Sequence, residues 1–146
     1  NGNSVSPKIR TMEVSNMVSQ VAALPEVRKC LVKEQRLMGL KGGLVMDGRD
    51  IGTVVFPNAE LKIFMTASAK TRALRRFNEL FDGDTSIDYQ TVYNNIIYRD
   101  KKDSSRKNSP LLKSIDARVL DNSNLDQQAQ FKLVLSWVNE CMKETP

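Results

Sequence analysis

The chain has 146 residues, 40% of them hydrophobic, and its 22 basic and 17 acidic residues give a formal net charge of +5. This length can bury one core of ordinary size, so we expect one domain with a small appended lobe, and neither a disordered nor a fibrous chain. No apolar stretch approaches the ~20 residues that cross a bilayer, and no signal-peptide pattern is present, so we expect a cytoplasmic protein without membrane contact.

Two amphipathic helices are predicted at the start of the chain. In the first, over residues 9–23, apolar residues recur at spacings of three and four, namely Val14, Met17, Val18 and Val21. Pro25 suits the first position of a second helix, and the glycine-rich segment 39–43 ends it. Both helices therefore precede the first predicted strand.

Short apolar runs alternate with helical patterns through the rest of the chain. The predicted strands are Leu44–Met46, Leu61–Met65 and Ala117–Leu120. The predicted helices are Ser68–Phe81, Tyr89–Arg106 and a last one that begins near Ser123 as N-cap. This alternation predicts an α/β fold with a parallel sheet, although three strands would make that sheet unusually thin.

The first predicted strand ends in a cluster of opposite charges, Asp47-Gly48-Arg49-Asp50. Open α/β sheets bind ligands at the carboxyl ends of their strands, so this cluster is a candidate site for a charged ligand. The alternative is a polar turn in which Arg49 and Asp50 only pair with each other.

Arginines recur at helical spacing on the two middle helices. Arg72, Arg75 and Arg76 share one face, opposite a predicted core stripe of Leu74, Phe77, Leu80 and Phe81. Arg99, Asp103 and Arg106 share a face of the next helix. The alternatives are a solvated basic face on the first helix and a surface ladder of ion pairs on the second.

The chain has no histidine, which excludes histidine-based triads and most transition-metal sites. Cys30 and Cys141 lie far apart without CxxC spacing, which argues against a zinc site or a disulfide framework. Guanidinium groups match phosphate geometry, and phosphoryl transfer depends on positioning and charge neutralisation. Asp47 occupies the place of a Walker B carboxylate that holds Mg²⁺, but no GxxxxGK[ST] phosphate loop is present in these residues.

With these features the chain resembles bacterial cytidylate kinases, nucleoside monophosphate kinases of the P-loop fold. The resemblance covers nearly the whole chain, and its most specific block is DGRD-x-GTVVFP. The matching segments are Ile9–Thr11, Ser19–Ala23, Pro25–Arg28, Asp47–Pro57, Lys62–Phe64, Arg75–Arg76, Arg99–Asp100, Asp103 and Arg106. The resemblance implies transfer of the γ-phosphoryl group of ATP, with Mg²⁺, to CMP or dCMP.

Carried onto this sequence, the family pattern places Ser19, Arg28 and Asp50 around the cytosine, with Arg10 also on the substrate side. This assignment makes chemical sense, because Asp50 and Ser19 can accept from the exocyclic amine while Arg28 donates to the ring acceptors. Uracil would present a carbonyl to the carboxylate and be disfavoured by about 1–3 kcal/mol, the cost of an unpaired buried polar group.

The remaining roles concern the phosphates. By resemblance, Arg49 and Arg106 grip phosphate, while Arg99 and Asp103 reach the ribose and the transferring group. Arg75 and Arg76 belong to a mobile lid that closes over ATP, with Arg75 also close to the transfer, and Asp47 lies on the metal side. Ser19 as a merely polar helix residue and Arg76 as a solvated side chain are the alternatives.

The resemblance also divides the chain. Residues 1–43 correspond to the C-terminal part of the CMP-binding insert, and residues 44–146 to the α/β core, with the lid around 72–106. The family's first strand and phosphate loop precede the point where this chain starts, so we interpret it as the C-terminal two-thirds of such an enzyme, inactive alone. Whether the start is cut, cleaved or not included stays open.

Two other functions remain possible on sequence grounds. The first is a nucleotide-binding fragment without catalysis, because a chain without a phosphate loop cannot cradle the β- and γ-phosphates. The second is a basic nucleic-acid module, which the small number of aromatics, five Phe, three Tyr and one Trp, disfavours. We expect a monomer that binds small molecules and no nucleic acid.

Overall fold

A computed structural model describes residues 5, 8–81 and 87–144 of the chain. Residues 82–86 of the expected lid region and most of the first seven residues therefore lie outside the described part. Within it, the helices are α1 Met12–Val21, α2 Pro25–Met38, α3 Ala69–Phe81, α4 Tyr89–Ser105 and α5 Gln127–Glu144. The strands are β1 Ile63–Thr66 and β2 Arg118–Asp121. The fold is mixed α/β, as predicted.

Local sequence signals explain where the helices begin and end. The Thr11 hydroxyl accepts from the backbone N–H of Val14 at the start of α1, and the Asp88 carboxylate caps α4 in the same way. Pro25 stands at the first turn of α2, as predicted. Beyond α2, Gly42 and Gly43 have φ angles of 68° and 61°, which glycine adopts without steric cost.

The two strands are adjacent and parallel, in a register that pairs Ile63 with Arg118 and Thr66 with Asp121. The connection between them contains α3 and α4, which pack against each other. Buried apolar residues among those described are Val55, Ala67, Ala73, Val92 and Leu120. This small core joins the sheet to the helix pair that carries Arg72, Arg75, Arg76 and Arg99.

The predicted strand Leu44–Met46 is wrong, because residues 43–47 form no strand in the structure. Val45 is 99% exposed, and the described sheet has the order β1-β2. An apolar run becomes a strand only when a neighbouring strand pairs its backbone groups, and the described residues supply none here. Asp47 therefore does not stand at the end of a strand.

The burial of the helices also differs from the apolar stripes in the sequence. Val14, Met17, Val18 and Val21 are exposed on α1, whereas Ser15 and Ser19 are buried. Leu74 of the predicted α3 stripe is exposed too, while Ala73 beside it is fully buried. The reason is that α1 packs against α4 through its polar side.

The N-cap of the last helix lies three residues later than predicted, at Asp126. The carboxylate of Asp126 accepts from the backbone N–H of Ala129 at 2.7 Å and caps α5. The hydroxyl of Ser123, the predicted cap, instead accepts from the N–H of Ser68 at 2.8 Å. Ser123 thus ties the end of β2 to the start of α3. No helix in the described part of the chain is long and apolar enough to span a bilayer.

Candidate functional site

Arg28 and Asp50 form a buried ion pair between α2 and the loop that follows residue 47. Their relative exposures are 8% and 2%, and Arg28 Nη2 donates to Asp50 Oδ2. The alternative that Arg49 and Asp50 only pair with each other is therefore wrong. Arg28 keeps one buried donor, Nε, without a partner. We call these two residues the Arg28–Asp50 pair.

The backbone around Asp50 explains its fixed position. Residues Ile51–Val55 form one turn of π-helix, in which the Asp50 carbonyl accepts from the N–H groups of Val54 at 2.8 Å and Val55 at 3.2 Å. Arg36 of α2 donates to the carbonyls of the same two valines, at 2.6 and 3.2 Å. The turn is thus attached to α2, the helix that carries Arg28.

A second feature is a cavity of about 200 Å³ between α1, α3, α4 and the loop of Arg49. Four arginines from three elements line it. We call it the arginine cavity; its lining comprises Arg49, Arg72, Arg76, Arg99, Asp100, Met12, Ser15, Val92, Asn95 and Ile96.

The charge in the arginine cavity is unbalanced. Asp100 is its one acidic lining residue, and both of its oxygens accept from Arg72, at 2.9 and 2.7 Å. Arg76 pairs with Glu79 at 3.0 Å on the exposed side of α3. The cavity thus has the electrostatics of an anion site.

Arg99 is held in the arginine cavity by a neutral side chain. Its Nη1 donates to the Ser15 hydroxyl at 3.0 Å, and its buried Nε has no partner. Burial lowers the pKa of Arg99 below its usual value, and the nearby charge of Arg49 lowers it further, whereas Asp103 opposes both. An anion in the cavity would relieve this cost.

Asp103 connects the loop and the end of α4. It is buried, accepts from Arg49 Nε at 2.9 Å and lies 3.9 Å from Arg106 Nη1. Burial also lowers the pKa of Arg106, an effect that Asp103 opposes. Arg106 Nε donates to the Ser109 carbonyl, while its Nη2 is buried without a partner. One carboxylate thus binds Arg49 and lies close to Arg106, and the alternative of a surface ladder of ion pairs is wrong for this buried group.

Unpaired buried atoms concentrate on residues that the sequence singled out. The described residues contain five such side-chain atoms: Ser19 Oγ, Arg28 Nε, Gln35 Oε1, Arg99 Nε and Arg106 Nη2. Four of the five belong to predicted site residues. Because most buried polar groups in proteins are hydrogen-bonded, such a cluster points to a bound polar ligand.

Not every predicted site residue joins these features. Arg75 Nη1 and Nη2 donate to the Oδ1 and the carbonyl of Asn122, beyond β2, at 3.1 and 2.8 Å. Arg10 is exposed, and its carbonyl accepts from Arg76. Asp47 is exposed, and neither it nor Arg10 lines the arginine cavity. Arg75 and Arg76 therefore point to different places, although they are adjacent.

A larger and more open cavity of about 720 Å³ lies along α2. Its basic lining residues are Arg28, Lys29, Lys33 and Arg36, and Val32, Leu37, Leu40 and Val54 are its main apolar ones. Arg28 thus faces this cavity while it is paired with Asp50.

Sequence reasoning missed three residues of the arginine cavity. Arg72 was placed on the correct helix face but received no role, and Ser15 and Asn95 were not singled out. A signal existed, because Ser15 precedes Ser19, and Asn95 precedes Arg99, by four residues, which places each pair on one helix face.

The described residues contain no group of three or more acidic or cysteine side chains that could hold a metal ion. Mg²⁺ in phosphoryl-transfer sites is commonly held by one or two carboxylates, substrate phosphates and water. A single exposed carboxylate such as Asp47 is compatible with that mode.

Comparison with known proteins agrees with these observations. A family model described as cytidylate kinase matches residues 1–140. A cytidylate kinase of Flavobacterium johnsoniae is 54% identical over 143 residues, which are 98% of this chain and 62% of the relative. One of Phocaeicola vulgatus is 50% identical over 140 residues, 96% of this chain and 59% of the relative. The chain spans about three fifths of these curated relatives, and it belongs to the cytidylate kinase family.

Proposed function

We propose that this chain forms the nucleoside-monophosphate-binding part and the lid of an enzyme that transfers the γ-phosphoryl group of ATP to CMP or dCMP, giving CDP or dCDP. The proposal rests mainly on one observation. Four of the five unpaired buried polar atoms of the described residues belong to Ser19, Arg28, Arg99 and Arg106. A nucleotide offers both a hydrogen-bonding base edge and phosphate oxygens to such atoms.

The Arg28–Asp50 pair and Ser19 are proposed to bind the cytosine. The pair is neutral as a whole, which suits an uncharged base, and the carboxylate has further lone pairs for the exocyclic amine. Arg28 Nε and Ser19 Oγ are the free groups for the remaining base atoms. Uracil would face the carboxylate with a carbonyl, an arrangement that leaves two acceptors opposed.

Arg49, Arg99 and Arg106 are proposed to bind phosphate, with Asp103 holding Arg49 and Arg106 in place. Their guanidiniums are buried or constrained, so little reorganisation is needed when the negative charge arrives. Asp103 keeps lone pairs for the ribose. Arg76, which lines the same cavity, is proposed to close over ATP with Arg75, and Arg10 to support the substrate side.

Asp47 is proposed to hold Mg²⁺ together with the phosphates of ATP. Bound there, the ion would neutralise charge on the transferring group. No GxxxxGK[ST] loop occurs in the sequence, and we propose that turnover requires one. The competing proposal is a nucleotide-binding fragment without catalysis.

A nucleic-acid module finds less support. The ring of Tyr89 contacts those of Phe77 and Tyr93, with ring centroids 6.1 and 6.2 Å apart. Aromatics engaged in this way do not form a stacking platform for bases. We propose a monomer that acts on small molecules.

The test compares this chain with a chimera. In the chimera, the portion of the Flavobacterium johnsoniae relative that this chain does not cover is joined to it. We expect calorimetry to detect CMP binding by the chain, and a coupled ADP-release assay to detect turnover of CMP and ATP only in the chimera. An inactive chimera beside a chain that binds CMP would favour the non-catalytic fragment, and no CMP binding by either would refute both.

A second measurement tests the base assignment. In the chimera, Asp50→Ala should raise the KM for CMP much more than the KM for ATP, because the carboxylate is assigned to the cytosine. Asp47→Asn serves as the comparison, since it should act mainly through ATP and Mg²⁺. Equal effects of Asp50→Ala on both KM values would contradict the assignment.

A further inference from the structure

A row of polar contacts connects α1 to Arg99 on α4. Arg99 Nη1 donates to Ser15 Oγ at 3.0 Å, Ser15 Oγ donates to Asn95 Oδ1 at 3.2 Å, and Asn95 Nδ2 donates to Asn16 Oδ1 at 2.6 Å. We call these contacts the Ser15–Asn95 chain. Ser15 is buried, although it stands on a helix whose valines are exposed.

The direction of every hydrogen bond in the Ser15–Asn95 chain is determined. A guanidinium can only donate, so Ser15 must accept from Arg99 and give its own proton to a different acceptor. The Asn95 carbonyl oxygen takes that proton, and the Asn95 amide nitrogen then donates to Asn16. Each group has one compatible orientation, so the Arg99 guanidinium is held in one place.

The anchor of Arg99 is neutral, in contrast to the anchors of its neighbours. Asp103 accepts from Arg49 and Asp100 from Arg72, so both acidic groups near Arg99 on α4 are engaged. A hydroxyl holds the guanidinium without cancelling its charge, whereas a carboxylate at that point would neutralise it. The full charge of Arg99 therefore remains available to an anion, and its unpaired Nε is available as a donor.

We propose that Ser15, supported by Asn95, is a positioning residue that fixes Arg99 for the phosphate of the nucleoside monophosphate. This inference rests on the proposed function, because it assumes that phosphate binds in the arginine cavity. The two proposed contacts, with the phosphate and with the base, then come from the same face of α1. Ser19, assigned to the base, lies one turn further along α1 on the same buried side as Ser15.

The test uses Ser15→Ala and Asn95→Ala, with Asn94→Ala as matched control. Asn94 is the preceding residue of the same type and is exposed, with a hydrogen bond to Gln90 on the same helix. The readout is the ratio of the dissociation constants for cytidine and CMP, measured by calorimetry. This ratio isolates the contribution of the phosphate from any general loss of folding.

We expect Ser15→Ala to lower this ratio about tenfold, the usual effect of losing a hydrogen bond to a charged group. Asn95→Ala should lower it less, and Asn94→Ala should leave it unchanged. Ser15→Thr, which keeps the hydroxyl, should retain the ratio. An unchanged ratio in Ser15→Ala, or equal weakening of cytidine and CMP, would overturn the proposal, as would a ratio in Ser15→Thr as low as in Ser15→Ala.

A measurement without ligand separates this inference from the proposed function. In ¹⁵N NMR spectra of the free chain, a held guanidinium shows distinct Nη signals, because rotation about its bonds is slow. We expect distinct Arg99 signals in the wild type and in Asn94→Ala, and averaged signals in Ser15→Ala. Signals that stay distinct in Ser15→Ala would overturn the positioning role. A wild type that binds CMP no better than cytidine would instead refute the proposed phosphate site.

Discussion

The Arg28–Asp50 pair and the arginine cavity use the same side chains in opposite ways. In the pair, one guanidinium meets one carboxylate, and both are almost completely buried. In the cavity, three of the four guanidiniums also meet a carboxylate, Arg49 with Asp103, Arg72 with Asp100 and Arg76 with Glu79. Arg99 is instead held by the hydroxyl of Ser15. The pair is neutral as a whole, while the cavity keeps the charge of Arg99 for a further anion.

The difference follows from the cost of burying charge. A deeply buried charge is tolerated only with a partner, so Arg28 and Asp50 stabilise the fold only together. The cavity can keep excess charge because its Arg49 side chain is 47% exposed, so water and ions screen the charge when no ligand is bound. We therefore expect changes in the pair to lower stability in addition to base binding, and changes in the cavity to affect phosphate binding and catalysis with little loss of stability.

The largest effect is expected for Asp50→Ala. This change leaves Arg28 buried without its partner and should lower the free energy of unfolding by about 3–5 kcal/mol, as measured by urea denaturation. The control is Asp47→Ala, at an exposed position in the same loop, where the change should be below about 0.5 kcal/mol. Equal stabilities for the two variants would show that the buried pair does not stabilise the fold.

The next effect concerns Arg106→Ala in the chimera. The guanidinium is proposed to stabilise charge on the transferring phosphoryl group, so kcat should fall about a hundredfold or more. Lys107→Ala is the control, because that neighbouring basic residue is exposed. A turnover that matches the Lys107→Ala chimera would exclude Arg106 from the phosphate contacts.

A smaller effect is expected for Asp100→Asn, which breaks the ion pair with Arg72. Both side chains of this pair are more than a third exposed, at 37% and 39%, so water already screens the charges. The free energy of unfolding should fall by no more than about 1 kcal/mol. CMP binding should strengthen, because the cavity loses its carboxylate. A loss of unfolding free energy as large as that of Asp50→Ala, or weaker CMP binding, would contradict the contrast drawn between the pair and the cavity.

The smallest effect involves Asp116, outside both features. A hydrogen bond from Lys62 and a second from Ser114 lower the pKa of this carboxyl to about 2, from 3.8. Because the pKa is depressed in the folded chain, the contribution to stability is complete above about pH 4 and is lost as the pH falls towards 2. Urea midpoints between pH 5 and pH 2.5 should fall less steeply for Asp116→Asn than for the wild type. If the urea midpoints of the two proteins fell in parallel with pH, Asp116 would contribute nothing to the pH dependence of stability.

Features that depend on neighbours in sequence were predictable. Helix α2 begins at Pro25 and ends before Gly39, as predicted, because proline and glycine act through the backbone of their own residues. The helices that carry the arginines were also predicted, since their periodicity is local. The specific DGRD block carried the family resemblance for the same reason, and the family model agrees.

Features that depend on distant partners were decided by the tertiary structure. Asp50 and Arg49 are adjacent in sequence, yet one pairs with Arg28 and the other with Asp103, 22 and 54 residues away. The run Leu44–Met46 has strand composition but no described neighbour to pair with, and α1 buries serines instead of valines. Periodicity identifies a helix and its faces, but only packing determines which face is covered and which charges meet, because burial and long-range electrostatics depend on the whole chain.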